Sequence, residues 1–147
     1  MNKKNTHPLI QPYLFFNGCC EEALEFYKTV LNAEIEMLMR FNESPEPIPT
    51  DELPTGFNNK IMHASFKVGD ATVMASDGYQ EGSNFAGFSL ALTFATVQEV
   101  QRVFHLLADG GEVQMPLAET FWSALYGSVT DRFGINWMVM VEAKDLS

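Results

Sequence analysis

The sequence predicts an α+β protein of two βαβββ modules that curl into a half-open mixed β-barrel, with the helices outside. First, strand and helix patterns occur in the same order twice along the 147 residues. Second, NAEIEM (32–37) and GGEVQM (110–115) echo each other at an offset of 78 residues. Third, 46% hydrophobic and 19% charged residues are typical of a globular chain. A single module leaves one sheet face uncovered, so two modules side by side would form a ligand cleft.

The first module opens with a strand, a helix and a second strand. The segment PLIQPYLFFN (8–17) is predicted to be a strand because prolines and an Asn-Gly turn bound it. In EEALEFYKTVL (21–31), apolar residues recur at helical spacing, which predicts a helix with one buried face. AEIEMLMRF (33–41) follows as a strand, with Ile35, Met37 and Met39 expected on one face.

Residues 42–59 contain four of the seven prolines, which predicts a proline-rich loop. The hairpin 60–77 then completes the module, turning at Gly69-Asp70.

The second module repeats this order. A strand is predicted over 87–94 and a helix over 96–111, with Thr96 as N-cap, Glu99 completing a capping box and two glycines at the end. Three further strands are expected at 112–119, 121–131 and 135–142.

Charge and composition narrow the classes of partner. A net charge of -10 and a pI near 4.6 argue against nucleic acid and against an anionic membrane surface, because like charges repel. No apolar run approaches the roughly 20 residues of a membrane span. The N-terminus has no apolar segment of a secretory signal, and the only cysteines are the adjacent Cys19 and Cys20. We therefore expect a cytoplasmic protein.

The two ends of the chain carry a family resemblance. PYLFFNG and EEALEFY near the start, with ETFW and YGSVTDRFGINWMV near the end, resemble the PhnB-like branch of the vicinal oxygen chelate superfamily, which includes glyoxalase I, bleomycin-resistance proteins and extradiol dioxygenases. The resemblance covers residues 8–142 and implies one glyoxalase-like domain, with module 1 at about 8–77 and module 2 at about 87–142. It also implies a homodimer.

Metal-dependent members of that superfamily place His, Gln or Glu ligands on four cleft strands. Matching strand to strand puts Gln11, Ser76, Ser89 and Met138 at those positions. An amide, two hydroxyls and a thioether are poor ligands for Ni²⁺, Zn²⁺ or Fe²⁺, which prefer imidazole and carboxylate. We therefore expect no metal and no other cofactor.

His63 and Glu119 are the candidate catalytic residues. His63 lies on a strand and faces the cleft if Met62 and Ala64 face the helices. A pair with Glu119 would supply a proton relay without metal. A structural role for His63 is the open alternative.

Aromatic residues are further candidates for ligand binding. Tyr13 and Phe15 share a strand face with Gln11, either as an aromatic floor for a ligand or as filling of the barrel. Trp122 is expected at the cleft or in the core, whereas Trp137 is expected in the core.

Three functions are compatible with these residues. The first is a metal-independent protein that binds a small amphipathic or aromatic molecule through Gln11, Tyr13, Phe15, His63, Ser76, Ser89, Glu119, Trp122 and Met138. The second is a lyase, isomerase or dioxygenase-type enzyme with a rebuilt metal site. The third is a structural or regulatory module whose cleft is filled with side chains.

Overall fold

A computed structural model describes residues 7–46, 53–82 and 84–144. The predicted order of strand, helix and three strands occurs twice, as expected. The elements are β1 (Tyr13–Phe15), α1 (Cys20–Leu31), β2 (Glu34–Arg40), β3 (Ile61–Val68), β4 (Ala71–Ser76), β5 (Leu90–Phe94), α2 (Val97–Ala108), β6 (Glu112–Ala118), β7 (Tyr126–Thr130) and β8 (Asn136–Val141), with 3₁₀ turns at Phe41–Glu43 and Phe57–Asn59.

The chain divides into two compact units. The first unit comprises the described residues up to 28 and from 32 to 81, and the second comprises residues 29–31 and those from 82 onward. Each unit contains one four-stranded mixed sheet, ordered β1-β4-β3-β2 in the first and β5-β8-β7-β6 in the second. In both sheets the first strand pairs parallel with the last, and the other pairs are antiparallel.

In the first unit, α1 covers one face of its sheet. Tyr27 of the helix is fully buried and stacks on Phe66 of β3, with the ring centroids 5.9 Å apart. Leu14, Val73 and Ala75 are buried on the same face of the sheet. The period-3.6 pattern of the sequence therefore predicted the buried side of α1 correctly.

The N-terminus of α1 is capped by a residue far away in the sequence. Cys19, at the N-cap position, makes no side-chain capping bond. Instead, one oxygen of the buried Asp77 carboxylate accepts hydrogen bonds from the amides of Gly18 and Cys20, at 2.7 and 2.9 Å, and the other accepts one from Ile61 at 2.8 Å. The Cys20 amide is one of the first-turn donors that a helix leaves without an internal partner, and Asp77 satisfies it.

In the second unit, α2 begins at its predicted cap. The Thr96 hydroxyl accepts a bond from the Glu99 amide at 3.2 Å. The Glu99 carboxylate accepts a bond from the Thr96 hydroxyl, at 2.9 Å, instead of from the Thr96 amide, so the reciprocal half of the predicted capping box was wrong. The helix ends at Ala108, just before Gly110, whose φ of 78° favours glycine.

Trp137 belongs to the core of the second unit, as expected. It is buried, and its indole Nε1 donates to Asp131 Oδ2 at 2.8 Å. Asp131 also accepts bonds from the amides of Phe133 and Ile135 with its other oxygen. The turn after β7 is therefore anchored beneath the last strand.

Several predicted bounds were wrong. β1 has three residues because the chain before it makes little sheet contact, and Leu9 and Ile10 are 71% and 98% exposed. β7 starts at Tyr126 rather than at residue 121, because the amides of Trp122 and Ser123 bond the Thr120 hydroxyl in a turn. The proline-rich stretch 42–59 lies partly outside the described residues, at 47–52.

Ile35 was predicted to share a face with Met37 and Met39, but a β-bulge at Glu36 places it on the opposite face. Ile35 pairs with Phe66 on the α1 side, whereas Met37 and Met39 pair with Ser65 and His63 on the opposite face.

Neither helix in the described part of the chain is long and apolar enough to cross a membrane.

Candidate functional site

The sheet face opposite α1 in the first unit, called the Tyr13 face here, is the candidate ligand surface. Its strand pairing places residues from all four strands in aligned positions. It is formed by Tyr13, Phe15, Met37, Met39, His63, Ser65, Met74 and Ser76. Tyr13 is 37% and Phe15 51% exposed, so aromatic rings on this face are accessible in the described structure.

Tyr13 lies at the centre of an aromatic cluster. Its ring centroid is 4.8 Å from that of Phe15 and 5.6 Å from that of His63. Its phenol oxygen lies 3.1 Å from Nδ1 of His63, within hydrogen-bonding distance. The structure therefore brings three of the sequence-predicted site residues together and gives His63 a phenol as its partner.

Ser76 and Gln11 lie beside this cluster in different ways. Ser76 pairs with Phe15 across β4 and β1, is buried, and accepts a bond from the Gly78 amide at 3.2 Å. Gln11 precedes β1 and is half-buried. The hydroxyl of Ser76 thus serves the turn after β4.

The corresponding face of the second sheet, called the Met138 face here, is formed by Ala91, Thr93, Met115, Tyr126, Ser128, Asn136, Met138 and Met140. Ser89 lies just before β5, and its hydroxyl oxygen is 2.5 Å from Oδ1 of Asn136. Ser128 donates to the same Asn136 oxygen at 3.3 Å. A polar network therefore lies at one end of this face, two residues from Met138.

The two faces repeat one pattern that sequence reasoning missed. Across the strands, one row reads Met37, Ser65, Met74, Tyr13 in the first unit and Met115, Ser128, Met138, Ala91 in the second. A register irregularity precedes the first methionine in both units. The 78-residue echo already aligned Met37 with Met115, and extending that offset to Tyr13 and Ala91 would have revealed the row.

The Tyr13 face and the Met138 face differ at the positions where the Tyr13 face carries aromatic side chains. Ala91 and Thr93 of the second unit stand where Tyr13 and Phe15 stand in the first, and Tyr126 stands in place of His63. Of the two faces, only the Tyr13 face has an imidazole and a pair of exposed aromatic rings.

Glu119 and Trp122 belong to the second unit. Glu119 is exposed and accepts a hydrogen bond from Lys144 Nζ at 2.9 Å, and this bond holds the pKa of its carboxyl below the usual range. Trp122 is half-buried and its ring packs edge-on against Tyr126, with centroids 5.1 Å apart. The structure gives Glu119 a lysine partner and His63 a tyrosine partner.

Three of the four residues that the sequence comparison matched to metal positions, Ser76, Ser89 and Met138, are poor ligands for a divalent transition metal. The Ser76 and Ser89 hydroxyls are both engaged in hydrogen bonds, and Met138 offers only a neutral thioether. Within the described ranges, no group of three or more His, Cys, Asp or Glu side chains could hold a metal ion.

A polar crevice of about 350 Å³ lies at the N-terminus of α1, with Cys19, Arg40, Lys60 and Asp77 among its lining residues. Both of its cations already have partners: Arg40 pairs with Glu21 at 2.5 Å, and Lys60 Nζ donates to the Gly18 carbonyl at 2.7 Å. Burial raises the pKa of the neighbouring Cys20 thiol well above its usual range, with a further contribution from the Asp77 charge. The contacts that line this crevice connect the start of α1 to β2 and β3, so we assign it a structural role.

Comparison with known proteins adds sequence relatives. Residues 8–140 match the family described as 3-demethylubiquinone-9 3-methyltransferase. Protein YjdN of Escherichia coli (strain K12) is 35% identical over 138 residues, which cover 90% of this chain and 94% of YjdN.

Solved structures are similar over nearly the whole chain. Protein PA1353 from Pseudomonas aeruginosa has 42% identity and a TM-score of 0.80, with 92% of this chain and 98% of that one covered. A PhnB protein from Bacillus cereus has 30% identity and a TM-score of 0.74, with 91% and 99% covered. At the level of fold alone, a glyoxylase/bleomycin resistance protein/dioxygenase domain from Frankia sp. EAN1pec has 13% identity and a TM-score of 0.61, with 94% and 99% covered.

Proposed function

Because the chain belongs to the 3-demethylubiquinone-9 3-methyltransferase family of PhnB-like proteins, within the glyoxalase and bleomycin-resistance superfamily, we propose that it binds a small amphipathic or aromatic molecule. The family and the α+β fold class expected from the sequence are both confirmed by these relatives. The ligand lies on the Tyr13 face and needs no divalent metal. The observation that carries this proposal is the pair of exposed, adjacent rings of Tyr13 and Phe15.

Exposed aromatic rings on a sheet face favour a flat ligand. The rings of Tyr13 and Phe15 are tilted by 32° and together present apolar surface at low cost in conformational entropy. A planar molecule stacked on either ring would remove part of that surface from water, which contributes roughly 25 cal/mol per Å² buried. Met37 and Met74, in the same row as Tyr13, would adapt to its outline.

Polar groups on this face would orient the ligand. His63 and the Tyr13 phenol offer one donor and one acceptor beyond their mutual bond, because each group has more than one hydrogen-bonding position. The net charge of -10 favours a neutral or cationic ligand over an anionic one.

Methyl transfer is not part of the proposal. S-adenosylmethionine and dinucleotides are commonly bound by a glycine-rich turn between a strand and a helix. In this sequence no two glycines stand two residues apart, and Gly110-Gly111 follows a helix instead of opening one.

Ligand-dependent stabilisation tests the proposal. Neutral 2-naphthol and cationic proflavine are suitable planar probes, and a probe at ten times its Kd should stabilise the protein by about 1.4 kcal/mol. Phe15→Leu should weaken binding, measured by calorimetry, whereas Phe121→Leu, which removes an exposed ring outside the sheets, should leave it unchanged. No stabilisation by either probe, or equal effects of the two variants, would remove the proposal.

The bond between Tyr13 and His63 favours a second candidate function, metal-independent proton transfer of the lyase or isomerase type. A phenol 3.1 Å from an imidazole can relay a proton between a ligand and the ring. Exchange of an acidic C–H of a bound ketone with deuterium, followed by NMR, tests this function. His63→Gln should abolish exchange, and an unchanged rate would exclude a role for this pair.

We also propose a cytoplasmic homodimer that binds neither nucleic acid nor membrane. Light scattering of the purified chain tests the assembly, and a monodisperse monomer would contradict it.

A further inference from the structure

Two thioethers and an imidazole occupy neighbouring positions on one patch of the Tyr13 face. Met39 of β2 stands directly opposite His63 of β3, and Met37 stands opposite Ser65, the next residue on the same face of β3. Residues opposite each other in an antiparallel pair have Cβ atoms roughly 5 Å apart. The Met39 side chain therefore lies directly beside the imidazole, the Met37 side chain lies diagonally to it, and Met37 is 38% exposed.

We propose that Met37, Met39 and His63 form a binding site for a soft monovalent metal ion of the Cu(I) or Ag(I) class. Thioether sulfur is a ligand that selects Cu(I) over hard divalent ions, and imidazole accompanies it well. Ser65, which lies opposite Met37 on β3, adds no charge to this patch. The site is chemically distinct from the divalent cage expected of the superfamily, and it does not depend on binding of an organic ligand.

The Tyr13 phenol prepares His63 for this role. Tyr13 Oη occupies the hydrogen-bonding direction of Nδ1, and Nε2 has no hydrogen-bond partner among the described residues. When Nδ1–H donates to the phenol oxygen, the lone pair lies on Nε2 and is available to a metal. Metal-ligating histidines are commonly oriented by such a bond at the other ring nitrogen, so Tyr13 is a positioning residue.

The second unit provides an internal control. By the 78-residue echo, Met37 corresponds to Met115, and Ala118 stands opposite Tyr126 as Met39 stands opposite His63. Tyr126 stands where His63 stands in the first unit. The Met138 face thus lacks both the second thioether of this strand and the imidazole, and we expect one metal ion per chain, in the first unit only.

Titration of the full chain with Ag(I), which is inert to air oxidation, tests the site. The cysteines are removed first, as Cys19→Ser with Cys20→Ala, because thiolates bind the same ions. Calorimetry should show one equivalent bound. Met37→Leu with Met39→Leu, and separately His63→Gln, should each weaken binding by at least about 10-fold, and Tyr13→Phe should do so by about 10-fold.

The matched control is Met115→Leu with Met138→Leu, which makes the same chemical change on the Met138 face. It should alter affinity less than about twofold, because these thioethers lie outside the proposed ligand set. Far-UV circular dichroism checks that each variant is folded. Competition of Cu(I) with a chromophoric bicinchoninate chelator extends the test to copper.

A measurement on the unmutated ligand set keeps the test independent of folding. In the cysteine-free chain labelled at its methionine methyl groups, Ag(I) should shift the NMR signals of Met37 and Met39 and leave those of Met115 and Met138 in place. No binding, binding unchanged in the double methionine variant, or shifts confined to other methionines would overturn the proposal. Binding of aromatic probes is measured separately in metal-free protein, so failure of one proposal is distinguishable from failure of the other.

Discussion

The Asp77 carboxylate accepts a hydrogen bond from the backbone amide of Cys20, 57 residues earlier in the chain, at 2.9 Å. The same carboxylate binds the amides of Gly18 and Ile61. One buried side chain therefore joins the end of β4 to the start of α1 and to the start of β3. This joint holds the strands that carry Tyr13 and His63 in their register.

Asp77→Asn should destabilise the protein by about 2–3 kcal/mol, because an amide nitrogen would then face one of the three backbone donors and leave it unsatisfied in the interior. Urea unfolding followed by circular dichroism measures the change. Asp70→Asn, the same substitution in the exposed hairpin turn, is the matched control and should cost less than about 0.5 kcal/mol. Equal effects at the two positions would show that the Asp77 bonds contribute little.

Asp131 and Trp137 should be energetically coupled. Asp131→Asn places an amide nitrogen against the indole N–H, at a cost of about 2 kcal/mol, since a buried donor loses its acceptor. In a Trp137→Phe background that donor is absent, and the same Asp131→Asn change should cost about 1 kcal/mol less. A double-mutant cycle by urea unfolding measures the coupling, and additive effects would contradict it.

Local sequence patterns predicted most helices and strands. They did not predict contacts between residues that are far apart in the chain. The apolar spacing around Tyr27 and the Thr96 cap are local signals, and both are confirmed. β1 was predicted too long because Leu9 and Ile10 are apolar yet exposed. Apolarity alone cannot distinguish a paired strand from an unpaired extended segment.

In the candidate site, too, contacts between distant residues could not be predicted from the sequence. Period 2 placed Tyr13 and Phe15 on one face, but nothing local identifies Tyr13 as the partner of His63, which is 50 residues away. The bulge at Glu36 moved Ile35 to the other face from Met37, and a period-2 reading does not anticipate an extra residue. Likewise, the cap of α1 comes from Asp77, which no helix-start motif near Cys20 reveals.

Gly111→Ala should be strongly destabilising for steric reasons. A Cβ atom at residue 111 would lie 2.2 Å from the backbone oxygen of Thr130, so the β6–β7 pair would have to move apart. Overpacking typically costs about 1–3 kcal/mol, and a contact this short with backbone is expected at the upper end of that range. Gly69→Asn is the control, because residue 69 has open space and a φ of 58° that asparagine tolerates, and it should cost less than about 1 kcal/mol. Thermal unfolding of the two variants measures the difference, and similar melting temperatures would refute the steric argument.

Glu21 should make stability depend on pH through its pair with Arg40. The guanidinium bonds both carboxylate oxygens, at 2.5 and 3.0 Å, and this hydrogen bonding is the main reason that the pKa of Glu21 lies below its usual range. Because the pKa is lower in the folded state, the unfolded chain binds more protons in acid, so the stabilisation is present above the unfolded pKa and is lost as pH falls through the folded one. Urea midpoints measured from about pH 6 to about pH 3 should therefore fall more steeply for the wild type than for Glu21→Gln, with the two converging in acid. A flat difference between wild type and Glu21→Gln across this range would show that the ion pair contributes nothing to folding.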